Sequence, residues 1–228
     1  MKRFSLLLVV FLALGTVVAA QEEEEVEKDF MEVAVYGGGA LPLGGLSDWG
    51  MSNESTGMEK LGTEFGFNVG IDVGHFLTPD LVLGLTLTYS QFAIDSDSAA
   101  VASMQHRLIS PAAYLKYYFV GESNFMPYVK AHAGVDVAKY TTRVYDTQIG
   151  TGAYKYRELA YQPAFAFGLG GGLFYYTSDY GGLYAEANYH MALSKNATKD
   201  YGNIEYTFGE TISVVDVHAG IKVFFGGD

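Results

Sequence analysis

A set of ionisable side chains recurs on one alternating face of the chain's extended segments. It comprises Glu32, Asp72, Asp136, Glu186 and Asp216, the lysines Lys116, Lys130 and Lys222, and the histidines His132, His190 and His218. Charges confined in a narrow interior must pair or hydrate, because isolated burial is very costly. Glu32 lies in the first segment and Lys222 in the last, so closure of the segments on themselves makes them neighbours. Glu186 lies in the segment beside Lys222. The expected chemistry is an ionic network plugging the interior toward one end. It either fixes register and stabilises the wall, or acts as a gate or ion path of the kind charged rings form. Metal binding is the other chemistry such residues offer. The three histidines sit in three different segments without short ligand spacing, so no metal and no cofactor are expected. His106 with Ser103 is the one outward-facing pair with hydrolytic elements. No motif supports it, and the chain reads as a non-enzyme. Gly168, Leu169, Gly170, Gly171 and Gly172 mimic a phosphate loop, but they lie inside a strand pattern with no helix following. They read instead as room for bulky side chains across the interior.

The elements that must position these groups are strands of strict alternation. Residues 64–91 show it best. Phe65, Phe67, Val69, Ile71 and Val73 fall on one face, opposite Glu64, Gly66, Asn68, Gly70, Asp72 and Gly74. After Thr78, Pro79 and Asp80, the pattern resumes with Leu81, Leu83, Leu85, Leu87 and Tyr89 against Gly84, Thr86, Thr88 and Ser90. Successive side chains of a strand point to opposite faces. A face of Gly, Ser, Thr and Asn with few charges fits a crowded, wet barrel interior, leaving the large apolar residues to meet lipid. The same period predicts eight strands. The other six centre on Met31–Tyr36, Ile109–Phe119, Val129–Val137, Phe165–Tyr175, Leu183–Met191 and Val215–Phe225.

The connections alternate long and short. Long ones are expected near 42–63, 93–106, 140–162 and 194–212, and short ones near 78–80, 120–126 and 177–181. Four long and three short connections require an even strand count with both termini at the short-turn end, an asymmetry typical of outer-membrane barrels. Eight strands close into a barrel just wide enough to be filled by side chains. Aromatic residues gather at both ends. Phe30, Phe76, Phe119, Tyr128, Tyr175, Tyr176 and Phe225 read as the girdle on the short-turn side, and Tyr89, Phe65, Phe165 and Tyr189 as the other.

Lys2 and Arg3, the apolar run Leu6–Val18 and the small residues Val18, Ala19 and Ala20 form the pattern of a cleaved signal peptide, residues 1–20. An acidic periplasmic segment, 21–29, then precedes a barrel domain over 30–228. No apolar run after the leader approaches the ~20 residues of a spanning helix, so any crossing must be made by a closed barrel. The chain has no cysteine, and loss of Lys2 and Arg3 leaves 12 basic residues against 26 acidic ones, a formal net charge of −14. That balance argues against nucleic acid as a partner. The sequons at Asn53 and Asn196 read as chance matches if the host is a bacterium.

The chain resembles the eight-stranded bacterial outer-membrane β-barrels of the OmpX and OmpA-transmembrane-domain type. The resemblance covers residues 30–225. It rests on Tyr36–Pro42 ending the first strand, the Gly-spaced hairpin Gly66–Gly84, Lys116–Phe119 before the second short turn, and Pro127–Val129 after it. Val217, Ala219, Ile221, Val223 and Phe225 look like the family's assembly signal, although Gly226, Gly227 and Asp228 follow the terminal aromatic. The strand pattern runs to the end of the sequence, so no further domain is expected. The resemblance implies an all-β, antiparallel, up-and-down transmembrane barrel in the bacterial outer membrane, monomeric, with periplasmic termini. It implies lipid and lipopolysaccharide as surroundings, and the barrel-assembly machinery and periplasmic chaperones as partners in biogenesis. The acidic, mixed long loops offer an external protein or surface ligand a place to bind. A structural or surface-interaction role with a filled lumen is expected. The alternative is a narrow pore or OmpW-like conduit for small solutes, which needs an open, apolar lumen. A soluble lipocalin-like carrier would invert the faces and charge the outer one.

Overall fold

The computed structural model describes residues 30–43, 50–53, 57–60, 63–94, 105–119, 123–145, 154–160, 163–193, 198–201, 204–207 and 211–226. The segments expected to be a signal peptide and an acidic stretch (1–29), Ser103 and Asn196 lie outside these residues. The barrel wall is built from β1 (Met31–Leu43), β2 (Thr63–Thr78), β3 (Leu81–Ile94), β4 (Gln105–Tyr118), β5 (Phe125–Tyr145), β6 (Ala164–Ser178), β7 (Gly181–Leu193) and β8 (Ile212–Phe225). Each strand pairs antiparallel with its sequence neighbours, and β1 pairs with β8 from Met31↔Phe225 to Leu43↔Ser213, closing the wall. Closure matters physically, because it leaves no strand edge of the wall unpaired.

Alternation in sequence becomes inside and outside. Along β4, Leu108, Ser110, Ala112, Tyr114, Lys116 and Tyr118 are buried, while Arg107, Ile109, Pro111, Ala113, Leu115 and Tyr117 are exposed. Every wall strand keeps this phase, with even-numbered residues inward through the strand body. The outer surface is therefore an apolar band. Leu85 is 68% exposed and Leu169 67%, on a surface where Ile71, Leu87, Val129, Val135 and Ile221 are also bare. No water-exposed sheet face tolerates so continuous an apolar surface; a lipid-facing wall requires it.

Two expectations are corrected by the course of the chain. Phe30, Phe76, Tyr128 and Tyr176 do not belong to an outer girdle. Tyr128 is buried, and Phe30, Phe76 and Tyr176 pack against an interior cluster of Val82, Tyr118, Met126, Phe174 and Phe224. Their inward phase decides this, and the lumen at the short-turn end is apolar enough to take them. Phe119, Tyr175 and Phe225 do face outward, joined by Tyr117, Phe125 and Tyr180. The long connections also carry more strand than expected. β5 continues to Tyr145 and pairs with Tyr154–Ala160, from Lys139↔Ala160 to Tyr145↔Tyr154. The first and last long connections join in a four-stranded sheet, in which Gly50–Asn53 pairs with Ile204–Thr207, flanked by Gly57–Lys60 and Thr198–Tyr201.

The tight turns are held by backbone and side-chain hydrogen bonds. Between β2 and β3, the Thr78 hydroxyl donates to the Asp80 carboxylate at 2.5 Å. That bond holds the Asp80 carboxyl below its ordinary range.

Candidate functional site

The lumen is layered. Nearest the short turns lies an aromatic floor. Phe174 and Phe224 meet edge to face at 5.3 Å, and Phe76 stacks on Tyr118 at 6.0 Å. Above it sits the ionic layer. Glu32 is fully buried and accepts from Lys116 at 2.5 Å and Tyr114 at 2.9 Å on Oε1, and from Tyr118 at 2.5 Å on Oε2. Lys222 Nζ lies 3.4 Å from Glu32 Oε2 and also donates to the Tyr118 hydroxyl. Lys130 bridges Asp72 at 2.9 Å and Glu186 at 3.1 Å, and Lys116 approaches Asp72 at 3.9 Å. The pairs thus run without a break from β8 through β1, β4, β2 and β5 to β7.

Tyrosines complete the layer. Tyr128 donates to Glu186 at 2.7 Å. The Lys222 ammonium sits among the rings of Tyr118, Tyr128, Phe174 and Tyr184, 4.8 to 5.2 Å from their centroids. Ring faces attract a desolvated cation, so this ammonium gains from its neighbours in addition to Glu32. Glycines make the space. A methyl group at Gly172 would lie 2.6 Å from the Tyr128 hydroxyl, and one at Gly84 would lie 2.6 Å from Tyr114 Cε1.

Above the ionic layer lie the histidines. His218 meets Asp216 at 2.8 Å and stacks on Tyr36 with centroids 4.1 Å apart. His218 Nε2 stands 3.5 Å from Glu186, and Asn188 donates to Glu186 at 2.8 Å and to Asp216 at 3.2 Å. On the other side, His190 Nε2 meets Asp136 at 2.7 Å and its Nδ1 meets His132 Nε2 at 2.9 Å. With a carboxylate on Nε2, a neutral His190 must donate there and accept at Nδ1, which makes His132 the donor in turn. Among the described residues no three His, Asp or Glu side chains converge as a metal would need. The groups pair largely with one another, while Asp136 Oδ1, Asn188 Oδ1 and His218 Nε2 make no hydrogen bond among the described residues. A small polar chamber of about 40 Å³ remains between these histidines and Thr86, Thr88, Ser90 and Ser110.

All of the ionisable lumen residues singled out in the sequence face inward, in these two layers. His106 does not face outward as expected. It is fully buried on the inner face of β4, against Phe92, because the strand's phase begins at Gln105, earlier than the sequence suggested. Sequence reasoning missed Tyr114, Tyr118, Tyr128 and Tyr184 as members of the ionic layer. Their even-numbered phase was the available signal. Val217, Ala219, Ile221, Val223 and Phe225 lie on the outer face of β8, in register with Gly39, Gly37, Val35, Val33 and Met31.

A closed antiparallel wall, an outward apolar band and a polar, filled interior define an eight-stranded transmembrane-type β-barrel. No protein-family model and no curated protein sequence matches the chain. Solved structures do. The outer membrane protein OprG from Pseudomonas aeruginosa is 14% identical over 84% of this chain and 95% of its own, with a TM-score of 0.51. Neisserial surface protein A is 16% identical over 85% and 96%, with a TM-score of 0.45. Ail, the attachment invasion locus protein of Yersinia pestis, is 13% identical over 86% and 99%, with a TM-score of 0.41. The fold of this chain is that of the eight-stranded outer-membrane barrels.

Proposed function

We propose that this chain is a bacterial outer-membrane barrel with a structural or surface-interaction role, its lumen closed and its long connections displayed outside. In this reading residues 1–20 are removed on export, 21–29 form an acidic periplasmic segment, and both termini of the 30–228 barrel face the periplasm. The outer strip of β8 ending at Phe225 serves as the signal to the assembly machinery. The observation that carries the reading is the unbroken run of ion pairs from Lys222 to Glu186, seated on an aromatic floor. Every carboxylate and ammonium in that run is paired with an opposite charge, which favours a plug over a path for solutes. This also supports a non-enzymatic role. The test is single-channel recording of the mature chain in a planar bilayer. An inserted, silent barrel is expected; discrete, reproducible steps would overturn the closed-lumen reading.

One observation favours the second reading, a narrow conduit for small solutes. The polar chamber above the plug shares Thr86 and Ala112 with an apolar groove on the outer wall, so that the partition between them is thin. Steps in the recording that vanish on filling the chamber, as with Ser110→Phe, would support it.

A further inference from the structure

The two polar layers of the lumen differ in how their charges are answered. The lower layer sets three carboxylates, Glu32, Asp72 and Glu186, against three ammonium groups, Lys116, Lys130 and Lys222. It balances by itself. The upper layer holds Asp136 and Asp216, and among the described residues no lysine or arginine pairs with either. Each meets an imidazole instead, His190 at 2.7 Å and His218 at 2.8 Å. Asp136 is buried, and its Oδ1 has no hydrogen-bond donor among the described residues. A buried carboxylate without an opposite charge is very costly. Two positive charges are therefore missing from the upper layer. Of its described residues, the histidines are placed to supply them, by taking protons.

Geometry selects among the histidines. His190 has a partner on each side, Asp136 Oδ2 at its Nε2 and His132 Nε2 at its Nδ1, 2.9 Å away. As an imidazolium it donates to both, and His132 accepts as the Nδ1–H tautomer. A further proton on His132 would set two N–H groups head to head between rings stacked at 5.3 Å. Lys130 also acts on His132 as a cation. His218 lies between Asp216 at Nδ1 and Glu186, 3.5 Å from Nε2, so an imidazolium there faces a carboxylate on either side. The remaining groups around these rings supply no positive charge. Tyr36 of β1 stacks on His218, Tyr184 of β7 meets it edge-on, and β3 and β4 offer the hydroxyls of Thr86, Thr88, Ser90 and Ser110. Asp72 of β2 is engaged by Lys130, and β6 presents Gly168 and Gly170. His106 of β4 lies within electrostatic reach of Asp136. His190, Asp216 and His218 all line the chamber of about 40 Å³. At roughly 10–15 Å³ for each water it has room for about three, a path by which protons reach both imidazoles.

We propose that the upper layer is a two-proton site, with His190 and His218 held as imidazolium by Asp136 and Asp216, and that these protons lock the lumen on the long-connection side. Loss of both leaves two carboxylates beside one polar chamber. The upper layer then loosens over a plug whose own charges stay balanced. This rests on the closed-lumen reading and adds what holds the upper lumen shut. The experiment is nitrogen NMR of the mature chain, labelled at its five histidines, in lipid nanodiscs from about pH 7 upward. Wild type should show two imidazolium rings, assigned with His190→Gln and His218→Gln, and His132 as the Nδ1–H tautomer. Asp136→Asn should neutralise His190 and turn His132 into the Nε2–H tautomer, whereas Asp216→Asn should neutralise His218 alone. As rising pH removes the imidazolium signals, the unfolding constant of wild type in urea should grow by up to about a hundredfold per pH unit. Either Asn variant should show about tenfold, one power of ten for each proton held by the folded but not the unfolded chain. Neutral rings at both positions in wild type at about pH 7 would overturn the proposal, as would imidazolium at His106 or His132 in their place. Equal slopes in wild type and in the double variant of Asp136→Asn with Asp216→Asn would overturn the lock. Stability that follows sodium or potassium concentration while both rings stay neutral would assign the missing charge to a metal cation and overturn it as well. Conductance steps in a chain that shows both imidazolium rings would overturn the closed-lumen reading while supporting the proton site.

Discussion

Glu32 of the first strand and Lys222 of the last lie 3.4 Å apart where the barrel closes, and the same carboxylate takes Lys116 of β4 at 2.5 Å. One buried acid therefore answers two buried ammonium groups, and two tyrosine hydroxyls donate to it as well. Glu32→Gln keeps the shape but removes the charge. Breaking a buried pair from one side costs about 3–5 kcal/mol, because the partner charge stays behind. Urea unfolding of the variant in lipid vesicles should show a loss of that size. A loss below about 1 kcal/mol, the worth of a surface pair, would mean that the lysines find other partners.

Lys222→Met removes one of the two cations instead. Glu32 keeps Lys116, and the methionine enters an aromatic box able to hold it. This variant should lose less stability than Glu32→Gln. The double variant should lose less than the sum of both, with a coupling of about 1–3 kcal/mol expected for charges in one network. Unchanged stability together with unchanged conductance in Lys222→Met would reject both a structural and a gating role for this pair.

The Glu32–Lys222 contact was legible in the sequence because it needs only closure and strand order. The Glu32–Lys116 contact was not, since it crosses the interior and depends on how far the strands tilt and stagger. The two faces of each strand were legible for the same simple reason, a period of two. Reading the lumen as small and wet was less successful. Near the short turns it is filled by tyrosine and phenylalanine, and this drew Tyr128 and Phe76 into the wrong group. A girdle and an aromatic floor have the same composition at the same strand ends; only phase separates them. His106 was misplaced because the chain around it is polar and reads as a connection, while paired strand extends past it.

The β2–β3 turn gives a pH prediction. The Thr78 hydroxyl lowers the native pKa of Asp80 from 3.8. A depressed carboxylate contributes stability above its unfolded pKa and loses it as pH falls through the native value. Thr78→Val should therefore unfold at lower urea than wild type near neutral pH. The gap should close as pH drops below the native pKa of Asp80. A gap that stays constant over that descent would show that Thr78 acts through turn packing, not through the carboxylate.

Adjacent glycines in β6 offer the sharpest test of the filled lumen. Gly172 faces inward beneath Tyr128, and a methyl group there would crowd the Ala185 carbonyl oxygen as well as the Tyr128 hydroxyl, the latter at 2.6 Å. Gly171 belongs to the opposite phase, and a methyl group there would meet only the Tyr128 carbonyl oxygen at 3.1 Å and Val129 at 4.0 Å. Both substitutions relieve the entropy cost of glycine equally, since both lie in the same strand. Any difference between them reports what the side chain meets. Gly172→Ala should cost about 1–3 kcal/mol by overpacking, because Tyr128 is tied to Glu186 and cannot swing away without breaking that bond. Gly171→Ala should be close to neutral. Adding Tyr128→Leu should restore part of the loss in Gly172→Ala and none in Gly171→Ala, because only the inner methyl group competes for the ring's place. Equal costs at the two positions would mean that the interior yields, and that the tyrosine layer is looser than its hydrogen bonds imply.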